Sequence, residues 1–124
     1  AREQQYVFRS LLDAGGRLAF GSDWPVSSPN PLHGIHVAVN RVPPGSDVDA
    51  LLPGQRLTVV EALDAYTRGS AFVSRREAST GTLEVGMAAD LAVVDTDLLA
   101  IDPHDIGSVR VTRTYARGRL VFAV

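Results

Sequence analysis

The spacing of apolar residues changes along this chain. Between Arg2 and Ala14, the positions Tyr6, Val7, Leu11, Leu12 and Ala14 recur at helical spacing, and Gly15-Gly16 supplies a stop. An amphipathic helix is predicted there. The short apolar run Leu18-Ala19-Phe20-Gly21 predicts a strand buried on both faces, delivering the chain into the polar turn Ser22-Asp23-Trp24-Pro25. Leu32, Ile35, Val39 and Val42 share one helical stripe that ends at Pro43-Pro44-Gly45. Thr58-Val59-Val60-Glu61 has the form of a capping box, predicting a helix to about Thr67, a pause at Gly69 and a resumption through Ser70 to Arg76. After Thr80 the period shortens. Thr82–Val85 and Ala89–Asp95 read as extended, and Val109–Ala116 with Arg119–Ala123 flank Gly118 as a hairpin. The alternation in Val109–Tyr115 is imperfect, because Arg113 shares a face with Val111 and Tyr115. The expectation is an α+β chain, mainly helical to about Arg76 and mainly β from Thr82, in three or four strands.

Composition narrows the possibilities. The 124 residues are 45% hydrophobic and 21% charged, enough for one domain with a real core and unlike a disordered or fibrous chain. No apolar run approaches the roughly 20 residues needed to cross a bilayer, and the first residues lack the apolar core and cleavage pattern of a signal peptide. The reading is of a cytoplasmic protein with no membrane partner. A net charge of −2 counts against a nucleic-acid partner. Cysteine is absent, which excludes disulfides, thiolate metal sites and cysteine nucleophiles. All twelve basic residues are arginine, which excludes a Schiff-base or P-loop lysine within this chain. The first residue is Ala1, not Met, and the expectation is a chain that begins partway into a longer one.

Asp23 is the leading candidate for chemistry. It follows the Leu18–Gly21 strand directly, and in α/β barrels the carboxyl ends of the strands carry metal ligands and catalytic groups. A carboxylate there can bind a divalent metal or take a proton from metal-bound water. The alternative is an ordinary turn or N-cap aspartate. Trp24 either shapes a pocket beside Asp23 or packs at a rim. His33 and His36 have a spacing that can put two imidazoles on one helical face, as substrate contacts or as packed or solvated residues. His104, in Asp102-Pro103-His104-Asp105, reads as a surface residue at a helix start. Asp90 reads as a structural hydrogen-bonding residue. Arg110, Arg113, Arg117 and Arg119 read as a solvated strand face, with an anion grip as the alternative.

Several of these segments carry a resemblance. Phe-Gly-Ser-Asp-Trp-Pro-Val at 20–26, followed by Asn-Pro-Leu-x-Gly-Ile at 30–35, resembles the last barrel strand and following loop of the amidohydrolase superfamily. More narrowly, it is similar to the amidohydrolase-3, YtcJ-like branch of metal-dependent hydrolases. Leu57–Thr67 resembles a helix of that family, Gly81–Asp95 its closing Gly/Ala-Asp signature, and Thr114–Val121 its final hairpin. The matches follow one another in order over nearly the whole chain.

The resemblance implies a fold and a mechanism. Residues 1–80 would be the C-terminal portion of a (β/α)8 amidohydrolase barrel, and residues 81–124 the C-terminal β segment of a composite β-sandwich domain. Asp23 would be the aspartate of the eighth strand, contacting the metal and accepting the proton of the hydrolytic water. Trp24, His33 and His36 would lie near the substrate pocket. The implied cofactor is a divalent metal, zinc foremost, whose other ligands come from earlier strands: a His-x-His pair, a carboxylated lysine or glutamate, and two further histidines. None of those segments is in this sequence, and one barrel strand without its companions leaves open edges, so the chain is expected to be a homo-oligomer that buries Leu18, Phe20 and neighbouring apolar residues across subunits. The implied function is therefore that of part of a hydrolase acting on carbon–nitrogen bonds of a small-molecule substrate, inactive and metal-free as this chain alone. Two other readings stay open: a non-catalytic, homo-oligomerising α+β domain, and an arginine-rich module for an anionic partner.

Overall fold

The computed structural model describes residues 4–124, so the start of the first predicted helix lies partly outside the described residues. Helix α1 spans Phe8–Asp13, shorter than expected because Tyr6 adopts a left-handed φ of 55° that breaks helical continuity. It ends as its glycines demand. Gly15, at φ 82°, donates its N–H to Leu12 O, and Gly16 donates to Leu11 O, which is the Schellman arrangement. Residues 16–22 then form no helix and pair with no strand. The predicted strand is therefore a segment held by helical residues instead of by a sheet, because none of the described residues provides a strand beside it.

Helix α2 (Pro31–Asn40) starts where Asn30 accepts a hydrogen bond from Leu32 N with Pro31 at its first position. It buries Leu32, Ile35, Ala38 and Val39; Val42, the last residue of the predicted stripe, is buried too but lies past the helix, which ends where Arg41 turns left-handed. Helix α3 (Val59–Asp64) opens on the capping box: Thr58 Oγ1 accepts from Glu61 N, and Glu61 Oε2 accepts from Thr58 N at 2.8 Å. The expected pause is a π-turn over Ala65–Gly69, after which α4 (Ser70–Val73) completes the helix. Its end comes earlier than Arg76, because Arg75 turns left-handed at φ 55° and Arg76 N closes back on Ala71 O.

The π-turn explains how segment 16–22 is held. Ala65 O accepts from Phe20 N at 3.0 Å, and Ser70 Oγ, 3.1 Å from Ala65 O, donates its single proton to the nearer Phe20 O at 2.7 Å. Gly69 packs directly on the Leu18 carbonyl, where a Cβ would collide with backbone on the facing segment. Gly69→Ala is therefore expected to destabilise the fold by about 1–3 kcal/mol, the usual cost of overpacking. Gly54 provides the control, because a Cβ added there would meet no other atom within 4 Å: Gly54→Ala should be neutral or slightly stabilising. Urea denaturation of both variants checks the contrast, and equal midpoints would contradict it.

Three antiparallel strands follow, β1 (Leu91–Val94), β2 (Val111–Ala116) and β3 (Arg119–Ala123), in the order β1-β2-β3. Thr82–Val85 is not a strand, since it lies between the turns at Gly81 and Gly86, both at positive φ. The β2–β3 hairpin turns through Arg117 and Gly118, both left-handed, as a two-residue hairpin of matching twist requires. Val93 faces Arg113 and Val94 faces Val111, so Thr112 is an extra residue in β2. This bulge accounts for the imperfect alternation: Val111 packs on the core while Arg113 is exposed.

One core unites these elements. Leu32, Ile35, Ala38 and Val39 of α2, Leu57 and Ala62 pack with Ile106 and Val109, which belong to and follow a 3-10 turn over Pro103–Ser108. The side chain of Asn40 ties that turn to the end of α2 by donating to Pro103 O at 2.7 Å. Apolar packing thus crosses residue 80 without interruption. Among the described residues, no helix is long and apolar enough to cross a membrane.

Candidate functional site

The docked segment 18–20 leads to the Asp23 turn. Phe20 sits between Phe8 and Tyr66, with ring centroids 5.1 and 5.5 Å away, and this aromatic stack fixes the point from which Gly21 and Ser22 depart. The turn over residues 23–26 closes with Val26 N donating to Asp23 O at 2.8 Å, and its peptide between Trp24 and Pro25 is cis. Ser22 braces the turn from below, accepting from Trp24 N at 3.3 Å on its Oγ and from the Ser27 hydroxyl on its carbonyl. Asp23 itself has a φ of 51°, a left-handed conformation that Asp and Asn tolerate better than other side chains. It is solvent-exposed, as is Trp24 at 67%.

The remaining candidates separate. His33 is half-buried and lines a cleft of about 630 Å³ together with Phe8, Phe20, Ser22 and Tyr66. Asp23 and Trp24 stand beside this cleft without lining it. His36, only 2% exposed, instead lies beneath the 3-10 turn, its ring 6.4 Å from that of His104. The His-x-x-His pair therefore spans two environments. Asp90 takes the structural role expected of it, accepting from Arg117 N at 2.7 Å and from Thr80 Oγ1 at 3.2 Å. Arg110 is engaged by Asp95, to which both its backbone N–H and its Nε donate.

The fit to a divalent metal can be judged from these positions. Among the described residues no three His, Asp or Glu side chains converge as a metal cage. Asp23 offers one carboxylate, and an open catalytic site takes about three protein ligands. Among the described residues, Asp23 is thus a single candidate ligand without converging partners.

Tyr66 and Arg41 were not singled out by sequence reasoning, yet both line the cleft. The trace of Tyr66 in the sequence is Gly34: its missing side chain leaves the space that the Tyr66 hydroxyl occupies. Burial pushes the Tyr66 phenol above its usual range. Arg41 left no comparable trace, because its burial depends on a left-handed turn after α2.

His36 has a consequence for stability. Burial lowers its pKa below the ordinary 6.5, with His104 and His33 adding repulsion from the facing turn and from its own helix. The native state therefore binds fewer protons than the unfolded chain once the pH drops below about 6.5, so stability is complete above that value and declines as the pH falls toward the depressed folded value. The acidic groups with lowered pKa, Glu61, Asp90 and Asp95, lose their contributions only at lower pH. A His36→Leu variant is expected to show a flatter stability profile between about pH 7 and pH 5. Denaturant midpoints across that range check this, and an unchanged slope would contradict it.

With this geometry in view, the sequence comparisons are specific. The profile of the Amidohydrolase family matches residues 1–122, and the chain belongs to that family. It is 37% identical over 122 residues to Protein LONG AFTER FAR-RED 3 of Arabidopsis thaliana, covering 98% of this chain and 21% of that protein. It is 32% identical to the putative amidohydrolase YtcJ of Bacillus subtilis (94% of this chain, 22% of that one). It is 34% identical to the N-substituted formamide deformylase of Arthrobacter pascens (93% and 21%). The chain thus spans about a fifth of the length of the curated relatives it matches. Among solved structures, an amidohydrolase from Thermotoga maritima superposes with a TM-score of 0.70 at 23% identity, over 96% of this chain and 26% of that one, a likeness of fold.

Proposed function

We propose that this chain is the C-terminal part of a metal-dependent hydrolase that cleaves carbon–nitrogen bonds of a small molecule. In this reading residues 1–80 close a (β/α)8 barrel and residues 81–124 contribute to a β-sandwich. The observation that supports it is the position of Asp23, which the resemblance makes the metal-contacting aspartate: it stands exposed, in a left-handed turn braced by Ser22, at the end of the docked segment 18–20. There it is free to take a proton from an attacking water and return it to a leaving nitrogen. The metal, zinc foremost, would be held mainly by residues outside this chain and would supply Lewis acidity. A relative whose name records deformylation of N-substituted formamides supports an amide-type bond as the target. The test is to assay the longer protein, loaded with zinc, on N-substituted formamides and cyclic amides. Hydrolysis of at least one class is expected, and a metal-loaded protein inert toward all of them would refute the reading.

A homo-oligomer is the second part of the proposal. Leu18 and Phe20, the apolar residues of the predicted strand, pack against this chain's own core. The open apolar edge is β3 instead, where Leu120, Val121 and Phe122 are about half exposed. An unprotected apolar edge strand invites pairing with another copy. Sedimentation of this chain at micromolar concentration is expected to give a dimer or larger species. A clean monomer would overturn this part and leave the hydrolase reading untouched.

A further inference from the structure

We propose that the aromatic cleft between α1, α2 and the segment 18–22 binds a carboxylate carried on an aromatic or apolar body, with Arg41 as its charge partner. The cleft holds about 630 Å³, within the range of small-molecule sites. Its apolar wall is the stack of Phe8, Phe20 and Tyr66, which can pack on a ring or a short hydrocarbon chain.

Arg41 is what makes the cleft selective. It is only 6% exposed, yet among the described residues its side chain donates to one acceptor, Leu51 O at 2.8 Å from Nε. Its Nη2 is buried without an acceptor. No Asp or Glu is among the described residues that line the cleft. A guanidinium taken out of water with no counter-charge is costly, and the cost shows as a pKa that burial drives down.

The fold nevertheless fixes Arg41 in place. Its left-handed backbone donates to Val37 O at 2.8 Å and accepts from Leu51 N at 2.9 Å, so the residue closes the loop 41–51 from both backbone and side chain. The Phe8 ring lies 5.9 Å from the guanidinium carbon. A preset guanidinium beside an aromatic wall matches a carboxylate, which it can attract by its charge and hydrogen-bond through an Nη donor that Leu51 does not take. His33 and Ser22 stand on the cleft lining as further polar contacts. This inference does not depend on the hydrolase reading, since it concerns binding alone.

The experiment titrates the 124-residue chain with phenylacetate, phenylacetamide and inorganic phosphate, following chemical shifts by NMR. Phenylacetate is expected to bind at least about 10-fold more tightly than phenylacetamide, the worth of hydrogen bonds to a charged donor. Arg41→Gln should erase that preference while leaving phenylacetamide binding unchanged. Should the variant fail to fold, the comparison of the two ligands on the unmodified chain still decides. Equal affinities for acid and amide, no phenylacetate binding up to about 10 mM, or phosphate binding as tight as phenylacetate would each overturn the proposal. So would a folded Arg41→Gln chain that keeps the preference.

Discussion

If the proposed hydrolase function holds, Asp23→Asn in the full-length protein is expected to lower kcat/KM by about 10²–10⁴-fold, the contribution typical of a positioned general base. The fold should not register the change. Asp23 is exposed, and its left-handed φ of 51° suits asparagine as well as aspartate. The amide keeps the size and can still accept from neighbouring donors, but it cannot take a proton from water. Asp23→Ala is the informative companion, because alanine is strained in the left-handed region and costs about 1–2 kcal/mol of stability as well as activity. Steady-state kinetics together with thermal melting separate the two effects. An Asp23→Asn parent with unimpaired kcat/KM would show that Asp23 is a turn residue only.

Local rules explain most of what could be read from the sequence. The capping box at Thr58 and Glu61, the Gly15-Gly16 stop, the α2 stripe and the turn at Gly118 each depend on neighbours within a few residues, and each appears where expected. The departures have tertiary causes. Leu18–Phe20 has the composition of a buried strand, but a strand exists only through a partner. Here the backbone of the segment is satisfied by Ala65 and Ser70 of a π-turn. The pause at Gly69 was visible in the sequence, but its purpose was not: it frees Ala65 O to receive Phe20 N and lets Leu18 approach. Similarly, the spacing of His33 and His36 says that they share a helix face in a loose sense. Only the packing of the 3-10 turn over His36 shows that one lines a cleft and the other is sealed away. Arg41 was illegible because burial of a guanidinium is decided by the loop that folds over it.

The same separation governs metal binding. The chain alone is expected to retain no stoichiometric zinc after dialysis and to hydrolyse none of the amides offered to the parent. Zinc at a catalytic site is held by about three protein ligands whose geometry is set in advance. Asp23 provides one, His33 lies on the neighbouring cleft, and His36 is enclosed beneath the turn at 103–108. The binding free energy of a multidentate site does not divide into independent parts, because each further ligand closes on an ion already positioned. One exposed carboxylate therefore competes poorly with water. The stability of the chain should report this directly. With zinc present at a tenth of its dissociation constant, linkage adds less than about 0.1 kcal/mol, whereas a site filled at a hundredfold excess adds about 2.7 kcal/mol. Melting curves of the chain with and without zinc should consequently coincide, and under the proposed function those of the full-length protein should not. Elemental analysis finding one zinc per chain, or a zinc-dependent rise in the melting temperature of the chain alone, would place a complete metal site within these 124 residues and refute the assignment of the missing ligands to the rest of the protein.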